Sequence, residues 1–436
     1  MTTPASSGPT VVIGAGAVGL AVAEALASRE ADVIVLEADR AGAGASAGNA
    51  GWITPSLAIP VPGPGVVGKS LRWLVNPSGP LWIRPTLSPA MLDWVARFVT
   101  SCSRSAYARG LATLQRAAAI AGPAFDRLAD RGVEFERHDQ PLLYTAFEHA
   151  ELELLRRLAD ELRDAGDAQT LRQVSAEELR ELEPALGPDL VGGVIADGER
   201  RVRPELFTRG LRRAVEARGA EVRQGAPVTA LGRDDGAWLV RTPSATFRAA
   251  HVVLAAGMAC KRLLAGLGVR LSIAAAKGYS RTYAAGPTAP RRALYLEAPK
   301  VAVSVFDGGV RVSGTPELGA TGLALSRRRL AAIAAAAQRA MPGWEMPERP
   351  RDWAGMRSLS PDGLPLIGPV PGLDGLHLAT AHATLGITLA PATGELLSKL
   401  LLDGERDPLL SAFDPARFAR RARPEPNHEA TIGGSQ

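Results

Sequence analysis

Only two cysteines, Cys102 and Cys260, stand in this chain of 436 residues. That excludes a disulfide framework and a CxxC metal knuckle, and it fits a reducing, cytoplasmic compartment. The six histidines (His138, His149, His251, His377, His382 and His428) show neither HxxxH nor HExxH spacing, so no dedicated metal site is expected. Aromatic residues make up 5% of the chain, and the cations are dispersed apart from short runs at 327–329 and 417–423. A nucleic-acid surface needs clustered cations interleaved with aromatics, so nucleic acid is not an expected partner. The formal charge of +5 describes a mildly basic protein. The apolar run 11–27 has no basic segment before it and carries Glu24 within it, which argues against a signal peptide or a membrane span.

What is present begins at residue 10. Val11-Val12-Ile13 reads as a buried parallel strand that stops at Gly14-Ala15-Gly16-Ala17-Val18-Gly19, and a helical segment then leads to a second strand, Val33-Ile34-Val35-Leu36. Gly14 permits the tight turn, Gly16 lets the backbone approach a pyrophosphate, and Gly19 lets the new helix pack on the sheet. The free N–H groups and dipole of that helix suit two negative charges. Glu37, followed by Ala38, closes the second strand where an acid accepts hydrogen bonds from the adenosine ribose hydroxyls, and an acid there disfavours a 2′-phosphate.

Length and a 46% hydrophobic content allow two domains with substantial cores. Helices are expected over 90–102, over 107–131 with a kink at Pro123, over 150–165, after a Ser175/Glu178 capping box, over 204–218, over 326–340 and over 391–402. Strands are expected at 221–224, 227–231, 238–242, 246–249 and 251–255, returning to the nucleotide domain. Further strands follow at 277–284 and 293–297, with a hairpin of 301–306 and 310–315 across Asp307-Gly308-Gly309. This order predicts a mixed α/β (α+β) protein: a discontinuous Rossmann-like nucleotide domain (9–85, 190–270 and 352–423) and an inserted mixed-sheet substrate domain (86–189 and 271–351). Residues 1–8 and 424–436 read as disordered, and the Pro- and Gly-rich stretch 54–89, with Trp73 and Trp82, as a surface wrap or a cover over a site.

Three segments favour FAD over NAD. Ala45-Ser46-Ala47-Gly48-Asn49-Ala50-Gly51 adds a second set of small residues and backbone donors, as a longer flavin-bearing ligand needs. The strand ending at Ala255-Ala256-Gly257 lies against the dinucleotide from the other side. Ala381-His382-Ala383-Thr384-Leu385-Gly386-Ile387-Thr388 leads directly into a helix. With Lys277-Gly278-Tyr279-Ser280, Gly355-Met356-Arg357 and Ser360-Pro361-Asp362-Gly363-Leu364-Pro365, these motifs fall in an order that resembles the D-amino-acid oxidase superfamily of FAD-dependent oxidoreductases. Within it the chain looks most like the D-amino-acid dehydrogenase small-subunit group, from Thr10 to about Pro415.

The resemblance implies an extended, non-covalent FAD with its ring at the domain junction, and a small amino-acid substrate. A helix N-terminus at Gly386-Ile387-Thr388, preceded by Leu385, would stabilise the charge that gathers at N1 and the C2 carbonyl on reduction. Val228 matches the position whose backbone meets the adenine. Oxidation by hydride transfer from Cα to flavin N5 requires the substrate to be oriented and its carboxylate held. Arg357 matches the carboxylate clamp, its fork suiting a bidentate contact. Tyr279 is expected to offer a hydroxyl to the carboxylate or to wall the pocket, His382 to line the substrate face, Lys277 to meet the flavin edge or a water, and Trp52, Trp73 and Trp82 to cap the pocket. The chain departs from the dehydrogenase group at Ala383, where glycine is common, at Ile387, where an aromatic is common, and at Ser358, where proline often follows the arginine. The expected activity is dehydrogenation of an amino acid, most readily a D-amino acid, with electrons leaving to a quinone or carrier protein, or to oxygen. An oxidase of glycine, sarcosine or a cyclic secondary amine, and an FAD-carrying electron-transfer subunit, stand as alternatives. Quinone-linked relatives dock peripherally, so contact with the inner face of a membrane fits as well.

Overall fold

A computed structural model describes residues 8–68, 82–84, 88–166 and 171–421. The segments expected to be disordered, 1–8 except Gly8 and 424–436, lie outside the described residues, as do Trp73 and much of the 54–89 stretch.

The apolar run that opens the chain becomes the centre of a six-stranded sheet. Its order is Glu221–Arg223, Val33–Leu36, Thr10–Ile13, His251–Leu254, Leu376–Thr380, Leu366–Pro369. The first five run parallel and the last antiparallel, with Val11 paired to both Ile34 and Val252. Parallel strands are covered on both faces, which is why these segments read as continuous apolar runs. Helix Ala17–Ala27 packs on one face with Pro204–Ala217 and Ala390–Asp403. The approach to the last is close: a Cβ on Gly394 would lie 2.4 Å from the Ala21 carbonyl oxygen. Glu24, which interrupts the apolar run, is fully buried and takes a bidentate pair from Arg131 at 2.8 and 3.0 Å.

The other face carries a three-stranded meander, Ala230–Asp234, Ala237–Arg241 and Thr246–Ala249, around the buried Trp238. The strand expected at 227–231 therefore begins three residues later, leaving Val228 in a loop. These strands form a sheet of their own instead of extending the nucleotide sheet.

A second, larger sheet has nine strands. Its path runs Arg351–Leu359, Ala274–Ala284, Gly309–Leu318, Val301–Phe306, Ala293–Leu296, Leu142–Ala146, Gly192–Ala196, Leu171–Ser175, with Trp82–Ile83 beside the end of Gly309–Leu318. Residues 192–196 and 352–359, grouped by sequence order with the nucleotide domain, lie in strands of this sheet. Helix Arg104–Asp130 carries Pro123 within it, and helix Ala176–Leu182 is capped by the Ser175 hydroxyl accepting from the Glu178 amide at 3.1 Å. Among the described residues no helix is long and apolar enough to cross a membrane.

Candidate active site

The first turn of the nucleotide sheet has the close contacts its glycines permit. Gly14 adopts φ +105°, and a Cβ there would meet the Ala255 carbonyl oxygen at 2.7 Å; one on Gly19 would lie 1.9 Å from the Gly14 oxygen. Gly16 caps helix Ala17–Ala27 with no side chain of its own, and Gly16, Ala17 and Val18 line the cavity. The Ala17 amide donates to the Ser46 hydroxyl at 3.0 Å, which brings the second small-residue loop against the first. Glu37 is fixed by amides, Ala15 N–H to Oε2 at 2.7 Å and Asp39 N–H to Oε1 at 3.0 Å. These contacts hold the acid at the strand end with acceptor capacity to spare.

From this cradle a cavity of about 400 Å³ runs to the edge of the larger sheet. It is lined by Gly14, Gly16, Ala17, Val18, Glu37, Ala38, Ala45, Ser46, Asn49, Val228, Ala256 and Gly257, and at its far end by Arg357, His382, Gly386 and Ile387. Arg357 is half-buried, and its guanidinium lies over Gly278, where a Cβ would be 3.0 Å from Cζ. No carboxylate or other hydrogen-bond partner meets it among the described residues, and burial lowers its pKa. Glu37 is the only acidic residue lining the cavity among the described residues. The far end therefore presents one unneutralised cation.

His382 is buried, with Nε2 3.0 Å from the Thr393 hydroxyl, and burial pushes its pKa down to about 4, leaving the ring neutral. It sits between two non-glycine residues in the left-handed region, Ala381 (φ +60°) and Ala383 (φ +52°). Ser358 supports both: its hydroxyl accepts from the Ala381 amide and its carbonyl from the Ala383 amide, each at 3.1 Å. A positive φ explains why glycine suits position 383.

A family model described as FAD dependent oxidoreductase (DAO) matches residues 10–400. The chain belongs to the FAD dependent oxidoreductase family. It is 33% identical to the D-amino acid dehydrogenase of Xanthobacter autotrophicus over 94% of this chain and 99% of that protein. It is likewise 33% identical to that of Cereibacter sphaeroides over 95% and 97%. Among solved structures, glycine oxidase from Geobacillus kaustophilus matches with a TM-score of 0.76 at 22% identity, covering 94% of this chain and 98% of that one. L-proline dehydrogenase from P. horikoshii matches at 0.69 and 18%, over 94% and 97%. Below 25% identity these likenesses speak for the fold.

The residues present fit FAD. The Gly14–Gly16 turn and the helix behind it suit a pyrophosphate, and Glu37 suits a ribose. At the other end the amides of Gly386, Ile387 and Thr388 have no acceptor among the described residues. The helix expected over 391–402 runs Ala390–Asp403; Gly386 to Thr388 lie in a turn ahead of it, closed by the Leu389 amide donating to Leu385 O, and Pro391 fits the first helical turn. Gly386 and Ile387 still line the cavity end, one turn ahead of the helix. Neither cysteine lines the cavity.

Several expected contacts are absent from the lining. Gly19 packs helix on strand. Ala50 and Gly51 shape the loop: Asn49 Oδ1 accepts the Gly51 amide at 2.8 Å, Arg311 Nη1 donates to Asn49 O at 2.7 Å, and Ser304 Oγ donates to Ala50 O at 2.7 Å. Leu385 is buried, and the Thr388 hydroxyl donates to Trp52 O at 2.9 Å. Trp52 is buried edge-on to Tyr295 and is not among the residues that line the cavity.

Tyr279 corrects the expectation most clearly: it is 1% exposed, its hydroxyl donates to Glu317 at 2.8 Å, and its neighbours are core residues. Strand alternation turns it to the face opposite Gly278, away from Arg357. Lys277 shares that face, 3.4 Å from Glu317, and donates to Ala324 O at 3.2 Å, which holds the loop bearing the cavity-lining Leu323. Sequence reasoning missed Leu323, Met356, Ser358, Thr380 and Arg262 as lining residues. Met356 and Ser358 flank Arg357 and were within reach of that signal; Leu323, in a loop, had none. Glu136, His138 and Asp307 bring potential metal ligands within 4.8 Å of one another, outside the cavity, but Glu136 already accepts the Asp307 amide at 2.7 Å and lies 3.6 Å from Arg203.

Proposed function

We propose that this protein oxidises D-amino acids, with Arg357 as the carboxylate clamp. The observation that carries this is an unpartnered guanidinium at the far end of a cavity whose near end is a dinucleotide cradle. Identity of 33% to two D-amino acid dehydrogenases over nearly the whole chain supports the substrate class. Bound FAD supplies the acceptor for two electrons and the Cα hydrogen, giving an imino acid that water hydrolyses to the oxo acid and ammonia. Arg357 takes the carboxylate through two parallel N–H bonds and so fixes the position of Cα. With no carboxylate at this end among the described residues to hold an ammonium, the substrate amine binds neutral. Neutral His382 adds no competing charge. Leu323, Met356 and Ile387 make the surrounding wall apolar, which favours substrates with uncharged side chains.

FAD is held without a covalent bond to cysteine, since Cys102 and Cys260 lie outside the cavity. Electrons pass on to a quinone or a carrier protein. The exposed Leu92, Val95 and Val99, at helical spacing on Pro89–Ser101, support peripheral contact with a membrane surface. The test is the visible spectrum of the holoprotein during anaerobic addition of D- and L-amino acids, glycine, sarcosine and proline. Bleaching by D-amino acids alone is the expected result; bleaching confined to glycine, sarcosine or proline, or none at all, overturns it. Peroxide release in air would assign the electrons to oxygen instead.

A further inference from the structure

Arg357 does not stand alone on its strand. Trp353, Gly355 and Arg357 alternate onto one face of Arg351–Leu359, and Gly355 pairs directly with Gly278 on the neighbouring strand. An ideal Cβ on Gly355 would lie 2.0 Å from Trp353 Cζ2, so the edge of the indole occupies the space above Gly355. The guanidinium lies over Gly278 in the same way. Indole and guanidinium thus cover adjacent positions across the two strands, roughly 5 Å apart. The other edge of the ring is closed from the nucleotide side, since a Cβ on Gly48 would meet Trp353 Cδ2 at 2.0 Å. Two glycines, Gly48 and Gly355, give this one aromatic ring its space, while Gly278 gives the guanidinium its own.

We infer that Trp353 is a positioning residue for the carboxylate clamp: its indole, wedged between Gly48 and Gly355, blocks one side of Arg357 and keeps the guanidinium down on Gly278. An unpaired arginine carries much rotamer freedom, and a substrate that has to order it loses affinity. A rigid ring beside it removes alternatives before substrate arrives. Gly278 is the second half of the device, because any side chain there would lift the fork from the strand. The inference rests on Arg357 being the clamp of the proposed reaction.

The test compares wild type with Trp353→Leu, Trp353→Phe and Gly355→Ala, each as holoprotein with FAD content measured. The readouts are the KM and kcat for the best D-amino acid and the Kd of a simple carboxylate such as propionate, followed by perturbation of the flavin spectrum. Trp353→Leu and Gly355→Ala are expected to raise both KM and the propionate Kd about tenfold with kcat nearly unchanged, the signature of lost ground-state positioning. Trp353→Phe should restore most of the loss. If the ring only packs the 41–51 loop, the variants will lose FAD affinity while their FAD-loaded fraction binds propionate as wild type does, and the inference falls. If wild type itself neither binds propionate nor is bleached by amino acids, the functional reading fails first.

Discussion

The Ser358 hydroxyl accepts the backbone amide of Ala381 at 3.1 Å, and Ala381 holds φ +60°. This bond ties the strand that carries Arg357 to the turn that carries His382. A left-handed alanine costs about 1 kcal/mol or more, and both Ala381 and Ala383 take that conformation. Ser358→Ala is therefore expected to destabilise by about 1–2 kcal/mol, the cost of a buried amide left without its acceptor. Ala383→Gly should act in the opposite direction, by about 1 kcal/mol at most. Thermal unfolding of the FAD-loaded protein reads both; an unchanged midpoint in Ser358→Ala would show that the turn is held by other contacts.

Arg357→Ala should keep its FAD and lose its response to amino acids. Hydrogen bonds to charged groups contribute about 1.5–3 kcal/mol each, so loss of two lowers kcat/KM by about a hundredfold or more. Arg357→Lys keeps the charge without the fork and should fall between. Stopped-flow bleaching at several substrate concentrations separates these outcomes. Wild-type reduction rates in Arg357→Ala would remove the clamp from this residue.

How much of this was legible in the sequence depended on the range of the contact. Gly14, Gly16, Gly19 and Glu37 act within a single strand-turn-helix-strand unit, and spacing alone located them. Arg357 and His382 came from motifs, and the cavity brings them together across two sheets. Tyr279 was misjudged because its partner, Glu317, lies 38 residues on, and no local pattern tells which face of a strand inside a two-faced sheet meets a core. The same ambiguity hid Trp353, whose role depends on Gly48, some 300 residues earlier and brought to it only by the fold. No sheet was named from sequence for 192–196 or 352–359, because pairing across a discontinuous chain leaves no mark in either segment; both lie in strands of the larger sheet. The helix expected over 391–402 runs Ala390–Asp403, and the turn that sets Gly386 to Thr388 ahead of it, closed by the Leu385 carbonyl, left no local mark.

Acid should weaken the fold through His377. Its ring is buried on the nucleotide sheet 5.9 Å from that of His251, and burial, with His251 adding to it, lowers its pKa from 6.5 to about 4. His251 is shifted down too, by burial. Below pH 6.5 the unfolded chain binds the proton and the folded one does not, so stability falls as pH drops from about 6.5 towards 4 and levels off below. The full shift at His377 corresponds to a loss on the order of 3 kcal/mol. His382, also lowered to about 4 by burial, adds a similar slope, so His377→Asn should remove about half of this limb of the pH profile in urea unfolding. An equally steep profile in the variant would assign the acid sensitivity elsewhere.

The buried Glu24 carries the last expectation. It is fully enclosed, and Arg131 meets it bidentately while Arg218 lies 3.7 Å away. Removing Arg131 strands a carboxylate among apolar helices, which costs about 3–5 kcal/mol, whereas replacing both partners by apolar residues of similar size is often neutral. Arg131→Leu should therefore be strongly destabilised, and Glu24→Leu combined with Arg131→Leu should recover most of the loss. Because Arg218 stays nearby in the single variant, the cost should sit toward the lower end, and adding Arg218→Leu to Arg131→Leu should deepen it. Urea denaturation of wild type, Glu24→Leu, Arg131→Leu and the Glu24→Leu/Arg131→Leu double variant gives the coupling directly; additive effects of the Glu24 and Arg131 substitutions would mean that the pair does not act as a unit.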